Sequence, residues 1–298
     1  MDTLKGVLLA ALAGCCWSTL SIVGKVLNNH SANIISVAIV RLIILVIGWG
    51  VGIAIKDRRL LYFPGNKALY LWLSGTVTVF CIYLGYLYSL KYISVPTAVI
   101  LLYTYPLWTT LASGVFLGER PSWLQMLSSV LIVSGAAIAV GLSALTSGPV
   151  SSLGVCLVLS CAFGMALFSL FGRLSSRGGG MAQETFFLYF HLMALLSMAV
   201  LGALTGAFSD ILRFTSAQWW GTLVIGLVGS LMGYGVFFLA LRKVSASLGS
   251  GVATTELVVT LALSAVILGQ SPSTWEILGS LVIVIGIGLG VVGEKLKI

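Results

Sequence analysis

The sequence predicts an all-α integral membrane protein of ten transmembrane helices arranged as two inverted five-helix repeats. Three observations lead there: a composition too apolar for water, unbroken apolar runs of about twenty residues, and a match between the two halves of the chain. Of 298 residues, 59% are hydrophobic and 8% are charged, with mean hydropathy +1.11. A soluble domain carries about 25% charged residues. This chain needs lipid as part of its solvent. A β-barrel would show strands of about ten residues alternating apolar and polar, and the sequence has no such alternation.

The apolar runs place spans near 5–27, 33–55, 68–90, 96–117, 123–143, 151–173, 184–206, 217–241, 246–268 and 275–293. The first is too long for the apolar core of a cleaved signal and has a counterpart later in the chain. It carries Trp17, and Lys25 near its far end can snorkel to the interface. The second holds Arg41, the third Tyr83 and Tyr86. In the fourth, Tyr103 and Tyr105 precede Pro106, which removes a backbone donor and kinks the helix as a hinge. The seventh holds His191. The eighth carries Gly229-x-x-x-Gly233 and then Tyr234, the ninth Glu256, and the tenth Gly286-x-x-x-Gly290. The paired glycines let helices approach closely, the first pair at a sliding interface, the second against span five or a partner in a homodimer. The cysteines all fall inside apolar runs and read as small packing residues. No His or Cys spacing suggests a metal or another cofactor.

The net charge of +8 reads as a topology signal rather than as affinity for nucleic acid. With both termini in the cytoplasm of an inner (plasma) membrane, twelve of the sixteen basic residues fall on the cytoplasmic side, as the positive-inside rule requires. The opposite side receives Lys25, Lys91 and Arg213, and Arg41 is left within a span.

A shift of 151 lays 111–140 over 262–291 without a gap. Leu117-Gly118 then meets Leu268-Gly269, and Pro121-Ser122 meets Pro272-Ser273. A shift of 148 lays 6–26 over 154–174, with Gly24-Lys25 on Gly172-Arg173. The expected repeats are 1–145 and 149–298. Five spans is an odd number, so the second repeat enters from the opposite side. Inverted repeats mark secondary transporters that bind substrate near the midplane and expose it to each side in turn.

The segments "YTYPLWTTLASGVFLGERPS" at 103–122 and "TTELVVTLALSAVILGQSPS" at 254–273, with "CCWSTL" at 15–20, resemble the EamA-like branch of the drug/metabolite transporter superfamily. That family often pairs Glu with Pro in its fourth and ninth spans. Here the first repeat keeps the proline in Tyr105-Pro106 and the second keeps the acid in Glu256-Leu257. The following block has Glu119 in one repeat and Gln270 in the other. The resemblance implies a cavity between spans 1–4 and 6–9, spans 5 and 10 at the back, and export of amino acids or related metabolites.

An ionisable group within a span costs about 2.5–3.5 kcal/mol on the insertion scale unless it is paired or hydrated. Glu256, Arg41 and His191 are therefore the candidate substrate residues, Glu256 nearest the midplane. Arg41 and His191 align at a shift of 150, one on each side of the centre. Each has a plainer alternative: a hydrogen-bonded acid, a helix-end cation, a satisfied core histidine. Trp17, Tyr83, Tyr86, Tyr103, Tyr105 and Tyr234 are candidates for an aromatic lining. Trp72, Trp123, Trp219, Trp220 and Trp275 read as interfacial belts.

The partners implied are a small-molecule substrate, protons if Glu256 titrates, and the bilayer. Phosphorylated sugars, nucleotide sugars and drugs are alternative cargoes in the same superfamily; a channel or lipid scramblase is the rival class. An enzyme is not expected: there is no H-E-x-x-H, no G-x-S-x-G and no Walker motif, and Asp2, Asp57 and Asp210 lie outside the expected spans. For the topology, an impermeant thiol reagent outside intact cells should label cysteines placed at 28–32 and 270–274 but not at 57–66. Labelling at 57–66 would reverse the orientation.

Overall fold

In the computed structural model, residues 2–141, 151–177 and 181–296 are described. Lys297 of the basic tail lies outside them, as does the side chain of Lys25. Ten helices are long and apolar enough to cross a membrane. They are α1 (Asp2–Gly24), α2 (Ile34–Lys56), α3 (Gly65–Gly85), α4 (Thr97–Phe116), α5 (Trp123–Val140), α6 (Ser152–Ser176), α7 (Gln183–Thr205), α8 (Ser216–Ala240), α9 (Ala246–Ile267) and α10 (Thr274–Lys295). Each lies within a few residues of its expected span. No strand occurs among the described residues.

Both termini lie on one face of the bundle, called here the terminal face. Asp2 at the start of α1 pairs with Lys243 after α8 at 2.8 Å, and Glu294 near the end of α10 accepts from the backbone N–H of the neighbouring Ser245 at 2.8 Å.

The "LG-E/Q-x-P-S" block has a physical meaning. Gly118 and Gly269 adopt φ of +64° and +63°. In that left-handed conformation they end α4 and α9, with the N–H groups of Glu119 and Gln270 reaching back to the carbonyls of Ser113 and Ser264. This is the glycine stop that satisfies orphan carbonyls. Ser122 and Ser273 then cap α5 and α10 in reciprocal capping boxes with Gln125 and Glu276. The block is a stop-and-restart signal for two antiparallel helices.

Small residues set the tightest helix contacts. α10 lies against α5 with Gly286 and Gly290 over Ser128 and with Gly279 over Gly135. These are contacts within the chain, so the expected close packing against span five is found. Gly229 and Gly233 of α8 face Leu20 and Trp17 of α1. The core is an aromatic cluster at the centre of the bundle, built from Trp17, Phe168, Phe186, Phe187, Phe190, Phe237 and Phe238. Trp123, Trp220 and Trp275 sit mostly exposed at helix ends, where amphipathic rings settle at the headgroups.

Two helices are broken. α4 consists of Val95–Leu102 and Tyr105–Phe116. Pro106 does not itself form the kink: the helix stops at Tyr103-Thr104, and Pro106 stands in the first turn of the restarted half, where its missing N–H costs nothing. α9 breaks at Thr254 into Ala246–Ala253 and Thr255–Leu268, with no proline at all. Thr254 and Thr255 donate their hydroxyls to the carbonyls of Gly251 and Val252, both at 2.6 Å. Two further helices are wound wide, with π-helical turns at Cys81–Gly85 in α3 and Ile225–Met232 in α8. Each is followed by a Gly-Tyr or Tyr step, Gly85-Tyr86 and Gly233-Tyr234.

A Cβ on Gly279 would collide with the backbone of Gly135 and Ala139, whereas one on Gly288 meets nothing within 4 Å. Gly279→Ala should therefore destabilise by about 1–3 kcal/mol, and Gly288→Ala should stay within about 0.5 kcal/mol of wild type. Thermal unfolding of the two proteins in the same detergent checks the contrast.

Candidate substrate-binding site

The site is assembled at the level of the helix breaks and wide turns. Glu256 lies in the first turn of the second half of α9. Its carboxylate is within interaction range of the hydroxyls of Ser21 in α1 and Tyr103 at the break in α4. Tyr103 is buried beside Tyr105, their ring centres 6.2 Å apart. Tyr105 is a strut rather than a free ligand, because its hydroxyl donates to the carbonyl of Ser250 at 3.1 Å. Thr260 lies one turn beyond Glu256, its hydroxyl buried without a hydrogen-bond partner among the described residues.

Arg41 approaches from α2. Its Nε donates to the hydroxyl of Ser230 at 3.0 Å, and its Cζ sits 4.8 Å from the centre of the Tyr83 ring. Among the described residues it makes no ion pair. Tyr234 lies within electrostatic reach of both Arg41 and Glu256. Trp17 packs beside it at 2% exposure, its ring centre 5.4 Å from that of Tyr234. The indole N–H of Trp17 is buried with no hydrogen-bond partner among the described residues, and the buried hydroxyl of Tyr83 has only the Tyr234 hydroxyl within interaction range among them. A buried donor without a partner is costly, and in a transporter it is the kind of group a polar cargo satisfies.

His191 is brought to the same cluster but differently. Its Nδ1 bonds the carbonyl of Phe187 at 2.8 Å; a carbonyl only accepts, so Nδ1 carries the proton. Its ring is packed by Phe187 at 4.3 Å and Phe190 at 5.0 Å, and lies nearly parallel to Tyr234 at 6.1 Å. No carboxylate pairs with it among the described residues. Arg41, Glu256, Trp17, Tyr83, Tyr103 and Tyr234 thus converge. His191 backs the cluster, Tyr105 braces it, and Pro106 belongs to the helix restart. Ser230, Ser21 and the break at Thr254 were not legible as site features, although the recurring Gly-Tyr step at offset 148 would have pointed to α3 and α8.

The terminal face below the site is sealed by charge. Glu119, its side chain 8% exposed, accepts from Arg173 Nε at 2.6 Å and Arg177 Nη2 at 2.5 Å. Its other oxygen accepts from the N–H of Ala246 at 3.1 Å. Glu184 pairs with Lys56 and Arg242, each at 2.9 Å. Glu294 binds Ser245, which caps the first half of α9, and Gln125. Two carboxylates therefore hold the start of that half, where the helix dipole favours negative charge. All eight of its residues are buried, and Thr110 of α4 bonds its Ser247 at 2.7 Å. Beyond the break, by contrast, every described residue of α9 is at least partly exposed, although the Thr260 hydroxyl is buried. The ion pairs found among the described residues all lie on the terminal face.

The sequence model of the EamA-like transporter family matches residues 4–141 and again 152–292. The chain belongs to the EamA-like transporter family. It is accordingly a membrane transporter of the drug/metabolite transporter superfamily. A solved crystal structure, titled only as that of a protein, covers 98% of this chain and 98% of its own, with TM-score 0.78 and 16% identity. That likeness shows the fold alone. No curated protein sequence matches this EamA-like chain.

Glu119→Ala should loosen the seal by about 1–3 kcal/mol, since it removes the shared acceptor of two arginines and a helix N-terminus while each arginine keeps one backbone carbonyl. In a cysteine-free background, a cysteine at Ser247 should then react much faster with a water-soluble maleimide added from the terminal face. An unchanged rate would show that the seal does not rest on Glu119.

Proposed function

We propose that this EamA-like transporter is a secondary-active exporter of an amino acid or a closely related zwitterion, working by alternating access between repeats 1–145 and 149–298. The observation that carries the reading is an arginine without an acid partner among the described residues and a carboxylate, both within electrostatic reach of Tyr234. A guanidinium binds a carboxylate through two parallel hydrogen bonds. Glu256 supplies the complementary acceptor for an ammonium group, or takes a proton when the cargo leaves. Trp17, Tyr83, Tyr103 and Tyr234 supply apolar walls with polar tips for the rest of the molecule. Sugar phosphates fit less well, because Glu256 would repel a dianion.

The five-helix halves support a rocking motion: breaks in α4 and α9 and wide turns in α3 and α8 fall at matching places in the two halves. We assign the terminal face to the cytoplasm of the cell's inner membrane, on the excess of basic residues there. The conformation described then has its cytoplasmic side shut.

Counterflow of radiolabelled amino acids in proteoliposomes tests this. Saturable exchange is expected, and a linear flux, or exchange of sugar phosphates alone, would refute it. Arg41→Lys should raise the half-saturating concentration about tenfold or more, the loss of one charge-assisted bond. In the same assay Glu256→Gln should weaken exchange if the acid holds the amine, and should instead remove only the pH dependence of net transport if the acid carries a proton.

A further inference from the structure

The two π-helical segments meet at a single guanidinium. Tyr83 belongs to the segment Cys81–Gly85 of α3, in the first half of the chain. Ser230 belongs to the segment Ile225–Met232 of α8, in the second half. Arg41 of α2 lies between them, its Cζ over the Tyr83 ring and its Nε on the Ser230 hydroxyl.

The Ser230 contact depends on the wide turn. Its hydroxyl donates to the carbonyl of Ile225, five residues back, at 3.3 Å. In an α-helix a serine hydroxyl reaches three or four residues back. With its proton committed there, the oxygen presents a lone pair, and Arg41 Nε takes it. Ser230 is fully buried, so no water competes. Tyr83 fixes the plane of the guanidinium by a cation–π contact, which a buried ring strengthens. Nε and one face are thereby occupied, while Nη1 and Nη2 carry no hydrogen bond among the described residues. That leaves the bidentate edge of the arginine for a ligand.

We propose that Ser230 and Tyr83 are positioning residues that orient Arg41 for a carboxylate, and that the two π-helical turns exist to deliver them, one from each half of the carrier. The proposal rests on the reading of Arg41 as the anion receptor. It deepens that reading, because relative movement of the halves moves Tyr83 and Ser230 apart. The grip on Arg41 is then a function of which face is open.

The test has two arms. The first needs no cargo. In protein carrying ¹⁵N-arginine in lipid nanodiscs, the Arg41 Nε–H signal, assigned by its loss in Arg41→Lys, should exchange with water at least about tenfold more slowly than those of Arg58 and Arg59, as a buried bond requires. Ser230→Ala should abolish most of that protection. Equal exchange in wild type and Ser230→Ala would overturn the proposal.

The second arm compares 3-phenylpropionate, which has a carboxylate and no amine, with phenethylamine, which has the reverse, by calorimetry. Ser230→Ala and Tyr83→Leu should each weaken 3-phenylpropionate about tenfold or more, the value of one charge-assisted contact, and leave phenethylamine within about twofold. A general packing defect would weaken both probes alike and would overturn the proposal. If Arg41→Lys weakens 3-phenylpropionate but Ser230→Ala and Tyr83→Leu do not, the positioning role fails and the anion receptor stands. If Arg41→Lys has no effect on binding, the anion receptor fails, and the proposal with it.

Discussion

Hydrocarbon gives a backbone N–H or C=O nothing to bond with, and the rest of this structure follows from that constraint. It forces ten helices, and it decides where a helix can stop. α4 and α9 break in mid-span only where side chains attend to the loose backbone. Thr104, Thr254 and Thr255 turn their hydroxyls onto carbonyls one turn back. Tyr105 reaches across to the carbonyl of Ser250. The breaks are therefore protein-lined, and irregular backbone at that depth belongs beside a cavity. The site is where it is because that is where the helices can afford to be irregular.

The same constraint sorts the polar residues. Glu119, Glu184 and Glu294 lie at helix ends, where arginines, lysines and backbone N–H groups pair with them. Arg41 and Glu256 lie deeper, and the partners found for their side chains among the described residues are hydroxyls and a ring. An incompletely paired charge is unfavourable for stability alone, and in a transporter it reads as function.

Much of this was legible in the sequence. Apolar run length is a direct consequence of bilayer thickness, so the ten spans could be read within a few residues. Arg41 and Glu256 stood out because any charge within such a run does. The spacing of Gly286 and Gly290 marked a close helix contact but left span five and a homodimer partner both open; the contact is with α5. The break in α9 was hidden because threonine side chains make it, and threonine is ordinary in a membrane helix; Pro106 drew attention to α4 but sits past the actual stop. The wide turns were hidden for another reason. A π-helical turn is one residue in excess, and a single sequence has no register against which to count it. Ser230 was invisible for the same reason, since its role depends on that turn. The resemblance carried by the "LG-E/Q-x-P-S" block pointed to the right family through a motif whose work is to turn the chain.

Glu119 and its repeat counterpart Gln270 stand at equivalent turns on opposite faces, one an anion, the other neutral. Among the described residues, only the terminal mouth has an acid that latches two arginines and a helix end. On the proposed alternating-access reading, two such unequal mouths make the empty carrier dwell in one posture. Apparent affinity scales with the fraction of molecules in the competent posture. The same binding site thus presents two half-saturation constants, lower at the face away from the termini and higher at the latched one. A carrier of this kind answers to scarce cargo on one side of the membrane and only to abundant cargo on the other, a kinetic rectifier made from one carboxylate and one amide.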